Sequence, residues 1–268
     1  MFNNAQFWQN WNSINPTEAF YIKALEYSLN YTLAQSWRSH IIAIYVYGSF
    51  QRRDITPKSD IDVKIIVDDA IDLNILADFR KISKTEIARI MGVENHPVNL
   101  GYYSLSELRT GKFGENKAGR HLPPTDFVAD MIHIQPVCGQ RISEKELYVL
   151  SNKKRVERQL YFVELSCRPG SKIRERTDTG IKYCAKFMLN LVYLLDLEKV
   201  DTYYPFIKKD MYAKYAHDKN HIVQLIQDII TNTEKYIVNT KQSKILQDSA
   251  FTQFNDFIAE VKQLRQLK

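Results

Sequence analysis

The spacing of apolar and polar residues changes along the chain. Residues 41–47 and 59–67 are short runs rich in β-branched and aromatic residues, which predicts two strands. A third strand is expected over residues 96–104, and alternation over residues 131–140 predicts a further one. Between these runs, residues 72–93 carry apolar positions at helical spacing. The first half of the chain therefore mixes helices and strands.

An opening helix is indicated by the residues that precede an amphipathic run. Asn15 is a good N-cap, Pro16 suits the first helical position, and Glu18 completes a box-like start. Apolar residues such as Leu25 and Leu29 then recur on one helical face. We expect a helix to begin at this point.

After about residue 143 the pattern becomes helical throughout. Long amphipathic runs follow one another to the end of the chain, without the short β-branched runs of the first half. This change predicts an α+β protein with two domains. We place an α/β domain at residues 1–143 and a helical bundle at residues 144–268.

Composition narrows the class of protein. The hydrophobic fraction of 44% in 268 residues is enough for packed cores. No window of roughly 18 apolar residues predicts a membrane span, and the N-terminus shows no secretory signal pattern. Three cysteines without CxxC spacing indicate buried thiols, and we expect a cytoplasmic protein. The net charge of +6 favours an anionic ligand such as a nucleotide or RNA, although a lysine-rich solvated surface explains it equally well.

Candidate chemistry lies at the ends of the first two predicted strands. Asp60 and Asp62 are two residues apart on a strand, so their side chains project from one face, roughly 7 Å apart. Two such carboxylates repel each other unless a cation lies between them, and hard oxygen ligands suit Mg²⁺. Gly48 and Ser49 follow the other strand, where a glycine turn lets backbone amides approach a phosphate. Metal and phosphate together predict nucleotidyl transfer.

Each half of this arrangement has an ordinary structural explanation. A Gly-Ser step after a strand is commonly a simple turn, and two alternating aspartates commonly form a solvated strand face. The two features in this order, at the ends of two neighbouring strands, are much more specific than either alone.

The stretch GSFQRRDITPKSDIDV, residues 48–63, resembles the signature of the DNA-polymerase-β-like nucleotidyltransferases. The domain layout is most similar to the antibiotic nucleotidyltransferases of the aminoglycoside and lincosamide types. The resemblance implies that Gly48 and Ser49 hold the triphosphate of ATP. It also implies that Asp60 and Asp62 bind the catalytic Mg²⁺ (or Mn²⁺) ions.

The sequence departs from this family at one position. The family usually has a third carboxylate on a later strand, a few residues before a serine and an acidic helical turn. Alignment on Ser104 and Glu107 places Asn99 there, and an amide can bind a metal but supplies no charge. Glu94 or another acid takes the third position, or one metal is weakly held, or the enzyme is slow or inactive. Asn99 is an ordinary strand residue if this alignment is shifted.

The helical half offers further candidates that the resemblance implies. Relatives of the kanamycin type use a glutamate on the first helix of this domain as general base, and Glu164 with Arg168 at i+4 matches that layout. Lys182, on the next predicted helix, corresponds to a lysine that often contacts the triphosphate. The alternatives are a surface salt bridge for the first pair and a solvated helix face for Lys182.

The expected activity is transfer of a nucleoside monophosphate, AMP from ATP, to a hydroxyl acceptor with release of pyrophosphate. We expect a small-molecule acceptor bound between the two domains, such as a lincosamide or an aminoglycoside. Two alternatives stay open: a toxin–antitoxin type enzyme that modifies tRNA or a protein, and a catalytically weak nucleotide-binding regulator. The sequence indicates no membrane partner and is compatible with a homodimer.

Overall fold

The computed structural model describes residues 7–57, 59–114, 122–176, 179–200, 203, 205–216 and 221–266. The chain divides into two compact units, Met1–Leu150 and Ser151–Lys268. The sequence pattern placed the boundary between its two expected domains at residue 143, a few residues before this division. Each unit has its own hydrophobic core.

The first unit is built on a mixed four-stranded sheet in the order β3-β2-β1-β4. Strand β2 pairs antiparallel with β1 and parallel with β3, while β4 pairs antiparallel with β1. The strands are β1 (Ile41–Tyr47), β2 (Ile61–Val67), β3 (Val98–Ser104) and β4 (Cys138–Gly139). The helices are α1 (Pro16–Leu33), α2 (Gly48–Gln51), α3 (Leu73–Met91), α4 (Leu105–Thr110) and α5 (Pro124–Met131).

Alternation along the strands gives the sheet two different faces. On one face, Ile61, Val63 and Ile65 of β2 are buried against apolar residues of α1 and α3. On the opposite face, Ile66 joins a smaller core with residues of α4 and α5 such as Phe127. The polar residues Asp62 and Lys64 of β2 lie on this second face. The candidate site therefore begins where the apolar packing of this face ends.

The predicted start of α1 is confirmed. The Glu18 backbone N–H donates to Asn15 Oδ1 at 2.9 Å, and the Asn15 N–H donates to Glu18 Oε2 at 2.9 Å. This reciprocal capping box satisfies two helix-terminal donors and typically stabilises a helix by about 1 kcal/mol.

The strand predicted over residues 131–140 is largely wrong. Met131 ends α5, and only Cys138–Gly139 pairs with β1. Gly139 has φ +83°, and a Cβ there would lie 2.1 Å from the Ile42 carbonyl oxygen. Pro136 cannot donate a ladder hydrogen bond. A long regular strand is therefore excluded, although the alternating pattern suggested one.

The second unit is helical in all its regular elements, as the sequence predicted. Helix α7 contributes more residues to its core than any other helix, and residues such as Cys184, Met188 and Leu191 are fully buried. Together with the first unit, this gives the expected α+β fold. No helix in the described part of the chain is long and apolar enough to cross a membrane. The helices are α6 (Asn152–Cys167), α7 (Gly180–Val200), α8 (Lys208–Lys214), α9 (Ile222–Thr231) and α10 (Lys241–Gln266).

Candidate active site

The Gly48–Ser49 step forms the turn at the end of β1. Gly48 has φ +76°, a conformation that favours glycine, and it begins the single turn α2. Tyr47 pairs with Asp62 on β2, which brings the turn next to that carboxylate. A Cβ on Gly48 would lie 2.9 Å from Asp62 Oδ2. The turn can therefore approach the Asp62 carboxylate this closely only because glycine has no side chain.

The two aspartates occupy different positions relative to β2. Asp62 is the second residue of the strand, whereas Asp60 lies immediately before it and is exposed. The segment before Asp60 is held by the Tyr21 hydroxyl, which donates to the Ser59 carbonyl at 2.6 Å. The Ile61 N–H donates to the Pro97 carbonyl at 2.8 Å. Both carboxylates therefore stand on ordered backbone next to the Gly48 turn.

Asp62 lies in an environment that disfavours its negative charge. Burial, followed by the charge of Asp60, raises the pKa of Asp62 from 3.8 to about 6. The charges of Lys64 and Arg52 and a hydrogen bond from Asn99 oppose this rise. A divalent cation would relieve the remaining imbalance. Two hard carboxylates beside a glycine turn therefore fit Mg²⁺ or Mn²⁺.

Asn99 lies directly beside Asp62. The two residues are paired in the parallel register of β2 and β3, and Asn99 Nδ2 donates to Asp62 Oδ1 at 3.2 Å. Ser104 and Glu107 form the capping box of α4 on which the sequence alignment was based. Glu94 is exposed in the loop before β3. No cluster of three or more His, Cys, Asp or Glu residues that could hold a metal occurs among the described residues.

Lys64 is a buried cation that was not among the site residues predicted from the sequence. Its side chain is on the same strand face as Asp62, and the residue is only 8% exposed. A Cβ on Gly101 of β3 would lie 2.2 Å from Lys64 Nζ, so the ammonium occupies the space above this glycine. Burial lowers the pKa of Lys64 to about 8, and Asp62 opposes this effect while Arg80 adds to it. The sequence feature that could have identified this buried cation is a lysine inside the apolar run VKIIV.

A cavity of about 210 Å³ opens beside Asp60 and Asn99. Arg80, Ser83 and Lys84 of α3 also contribute to its lining. His96 lines it too, but both of its ring nitrogens have partners. The Val98 N–H donates to Nδ1 at 3.2 Å, and Ser28 Oγ lies 3.3 Å from Nε2. His96 therefore stabilises the structure and is not a free ligand.

Arg53, one of two arginines after the Gly-Ser step, supports the loop. Arg53 Nε donates to the buried Glu18 carboxylate at 2.6 Å, and Nη2 donates to the Ser13 carbonyl at 2.6 Å. The guanidinium also lies 4.9 Å from the centre of the Trp11 ring. This residue fixes the segment between the turn and Asp60, while the charge of its neighbour Arg52 acts on Asp62.

Two of the three site candidates in the second unit lie on helices, and the third lies at a helix end. Glu164 on α6 accepts a hydrogen bond from Lys262 Nζ at 2.6 Å, and both side chains are partly exposed. Arg168 is exposed and caps the C-terminus of α6 with extended backbone, so the helix ends before it. Lys182 is half-buried in the first turn of α7. The roles predicted for these three residues stay predictions.

Comparison with known proteins supports the resemblance seen in the sequence. Residues 31–97 match the family described as polymerase beta, nucleotidyltransferase. The match includes β1, the Gly48–Ser49 turn, both aspartates and α3. This segment of the chain is thus similar to a nucleotidyltransferase domain of the polymerase-β type, and the predicted class of enzyme is confirmed.

A solved structure extends the similarity beyond this domain. The spectinomycin adenyltransferase from Enterococcus faecialis, solved with ATP and spectinomycin, matches with a TM-score of 0.51 at 11% identity. The match covers 87% of this chain and 99% of that one. At this identity it shows a shared fold. A search of curated proteins found no match.

Proposed function

We propose that the protein is a metal-dependent nucleotidyltransferase that moves AMP from ATP to a hydroxyl acceptor and releases pyrophosphate. The observation that carries this proposal is the contact between the Gly48 turn and Asp62. It brings a turn of the phosphate-binding type next to the Asp62 carboxylate. The negative charge of this carboxylate is disfavoured by burial and by Asp60, and a bound cation would stabilise it. The family match over residues 31–97 supports the same reaction class.

Each half of the site has a distinct role in this proposal. Gly48 and Ser49 hold the phosphates of ATP, because a turn without a Cβ exposes its backbone amides to a ligand. Asp60 and Asp62 hold Mg²⁺ or Mn²⁺. When bound, the metal supplies charge neutralisation for the phosphates and activates the attacking hydroxyl.

Asn99 gives the site fewer negative charges than a three-carboxylate arrangement would have. Its amide donates to Asp62 and orients that carboxylate, but it brings no charge to a metal. We therefore expect weaker metal binding than three carboxylates would provide. This same observation favours the second candidate function, a nucleotide-binding regulator with little catalytic activity.

The proposed general base is Glu164. Lys262 engages its Oε1 atom, which leaves the other carboxylate oxygen able to accept a proton. Arg168 and Lys182 are proposed to contact phosphate as cations. These assignments depend on the family resemblance.

The acceptor is proposed to be a small hydroxyl-bearing molecule in the cytoplasm. The structural neighbour was solved with ATP and spectinomycin, which supports an antibiotic among the candidates. Lincosamides and aminoglycosides are therefore the first compounds to test. Total tRNA belongs in the same panel because the net charge of +6 also suits RNA.

The experiment offers α-³²P-labelled ATP with Mg²⁺ to this panel and measures label on each acceptor. Asp60→Asn is the blank, and Asp78→Asn, which removes an exposed carboxylate of α3, is the matched control. We expect label on one acceptor with the wild type and Asp78→Asn, and none with Asp60→Asn. ATP binding without transfer to any acceptor would favour the regulatory function.

A further inference from the structure

The two oxygens of the Asp62 carboxylate face different neighbours. Oδ1 accepts a hydrogen bond from Asn99 Nδ2 at 3.2 Å, on the side of strand β3. Oδ2 lies toward the Gly48 turn at the end of β1, where a Cβ on this glycine would be 2.9 Å away. One oxygen is therefore already engaged within the chain. The other faces the turn that is proposed to hold the phosphates of ATP.

A site for two metal ions would need both of these oxygens. The sequence resemblance implied more than one ion at the aspartates, and catalytic ions that act as a pair lie roughly 3.5–4 Å apart. Two divalent charges at this distance repel each other strongly, and a carboxylate offsets the repulsion when each of its oxygens binds one ion. Asp62 does not have both oxygens available, because the amide of Asn99 donates to Oδ1.

The charge around Asp62 also fits one ion better than two. Asp60 and Asp62 are the two carboxylates next to the turn, and the amide of Asn99 adds no charge to them. Lys64 is only 8% exposed on the same strand face, and its positive charge acts on the Asp62 carboxylate, as that of Arg52 does. Two divalent ions would therefore add their charges to a buried ammonium, with only two carboxylates of the chain to offset them.

The acidic residues at the two ends of β3 do not replace a carboxylate at position 99. Glu107 follows the strand and is 2% exposed, and its carboxylate accepts hydrogen bonds from the Ser104 and Gly114 backbone N–H groups. Glu94 lies in the loop before the strand and is exposed. The position beside Asp62 on β3 is therefore filled by an amide.

We propose that the site binds one divalent ion per nucleotide, held by Asp60, by Oδ2 of Asp62 and by the phosphates, and that Asn99 takes the place of a second ion. This inference rests on the proposed function. One or two carboxylates with phosphates and water are a common ligand set for Mg²⁺. Asn99 is a positioning residue, because its hydrogen bond to Oδ1 leaves Oδ2 directed toward the Gly48 turn.

The test counts the bound ions by equilibrium dialysis of the whole chain. The cells contain ⁵⁴Mn²⁺ and a saturating ³H-labelled non-hydrolysable analogue, α,β-methylene ATP, and the measured quantity is the ratio of bound Mn²⁺ to bound analogue. We expect a ratio of about one for the wild type and about two for Asn99→Asp, which adds a carboxylate and removes the donor to Oδ1. Asn95→Asp adds the same charge in the exposed loop before β3 and should leave the ratio unchanged.

Electron paramagnetic resonance on the same samples gives an independent readout. A single bound Mn²⁺ gives the spectrum of an isolated ion, whereas two ions roughly 4 Å apart give the spectrum of a spin-coupled pair. We expect the isolated-ion spectrum for the wild type and Asn95→Asp, and the coupled spectrum for Asn99→Asp.

Two results would overturn the inference. Two Mn²⁺ ions per analogue, or a spin-coupled spectrum, in the wild type would exclude a single-ion site. A ratio that stays at one in Asn99→Asp, or that rises equally in Asn95→Asp, would show that Asn99 does not take the place of a second ion. The wild-type ratio tests the single-ion site even if Asn99→Asp does not fold.

The proposed function is tested separately in the same cells. Binding of the analogue in the presence of Mn²⁺ should weaken at least about tenfold in Asp62→Asn, because the ion loses a charged ligand. If Asp62→Asn binds the analogue as tightly as the wild type, or if the wild type does not bind it, the proposed function fails, whatever the ratio of Mn²⁺ to analogue is.

Discussion

Asp62→Asn should stabilise the metal-free protein at neutral pH. In the fold, the pKa of this carboxyl is raised from 3.8 to about 6, first by burial and then by Asp60. A raised pKa means that the ionised form is less stable in the folded than in the unfolded chain. The penalty is absent below pH 3.8 and reaches its full size as the pH rises through 6. Asparagine removes the charge and can still accept the hydrogen bond from Asn99.

The magnitude follows from the size of the shift. Each pKa unit corresponds to about 1.4 kcal/mol, so a rise from 3.8 to about 6 corresponds to about 3 kcal/mol at pH 7.5. At pH 4.5 the same linkage leaves about 1 kcal/mol. For a domain of about 150 residues, the gain at pH 7.5 should raise the melting temperature by roughly 6–12 °C.

The assay is equilibrium unfolding in urea with EDTA at the two pH values, with Asp78→Asn as the control for loss of an exposed carboxylate. Added Mn²⁺ should stabilise the wild type and leave Asp62→Asn unchanged, because only the wild type keeps both proposed ligands. Equal stability of wild type and variant at pH 7.5 would refute the reasoning. So would a gain that does not depend on pH.

Three further changes test other parts of the first unit. Asn99→Asp should tighten Mn²⁺ binding, measured by calorimetry, because it adds a third carboxylate beside Asp62; unchanged affinity would argue against a metal at this position. Glu18→Gln should destabilise the fold by about 1–2 kcal/mol at pH 7, because Arg53 loses its buried partner. The hydrogen bond from Arg53 lowers the pKa of Glu18, so this deficit should shrink as the pH falls below 4.5, and a constant deficit in urea unfolding would contradict it. Gly101→Ala should destabilise the fold by about 1–3 kcal/mol, the usual cost of overpacking, because its Cβ would lie 2.2 Å from Lys64 Nζ and this buried side chain would have to move; unchanged stability in urea unfolding would contradict this.

Local patterns in the sequence determined most of the elements. The capping box at Asn15, the strands at residues 41–47 and 61–67, and the helical second half all follow from residues close together in the chain. The alignment that placed Asn99 at the position of the family's third carboxylate relied on the Ser104–Glu107 capping signal. That signal is local and marks the end of β3, so counting back along the strand placed Asn99 where the resemblance expects the third carboxylate, and the structure pairs this residue with Asp62.

Only the tertiary structure decided which distant side chains meet. Arg53 reaches Glu18 across 35 residues, and Lys262 reaches Glu164 across 98, whereas the sequence had suggested Arg168 as the partner of Glu164. The position of Lys64 depends on Gly101 in the neighbouring strand. The strand expected over residues 131–140 was limited by close backbone packing at Gly139. Periodicity reports which face of an element a residue occupies. It carries no information on the distance to another element, and that distance determines ion pairs, cavities and the cost of burying a charge.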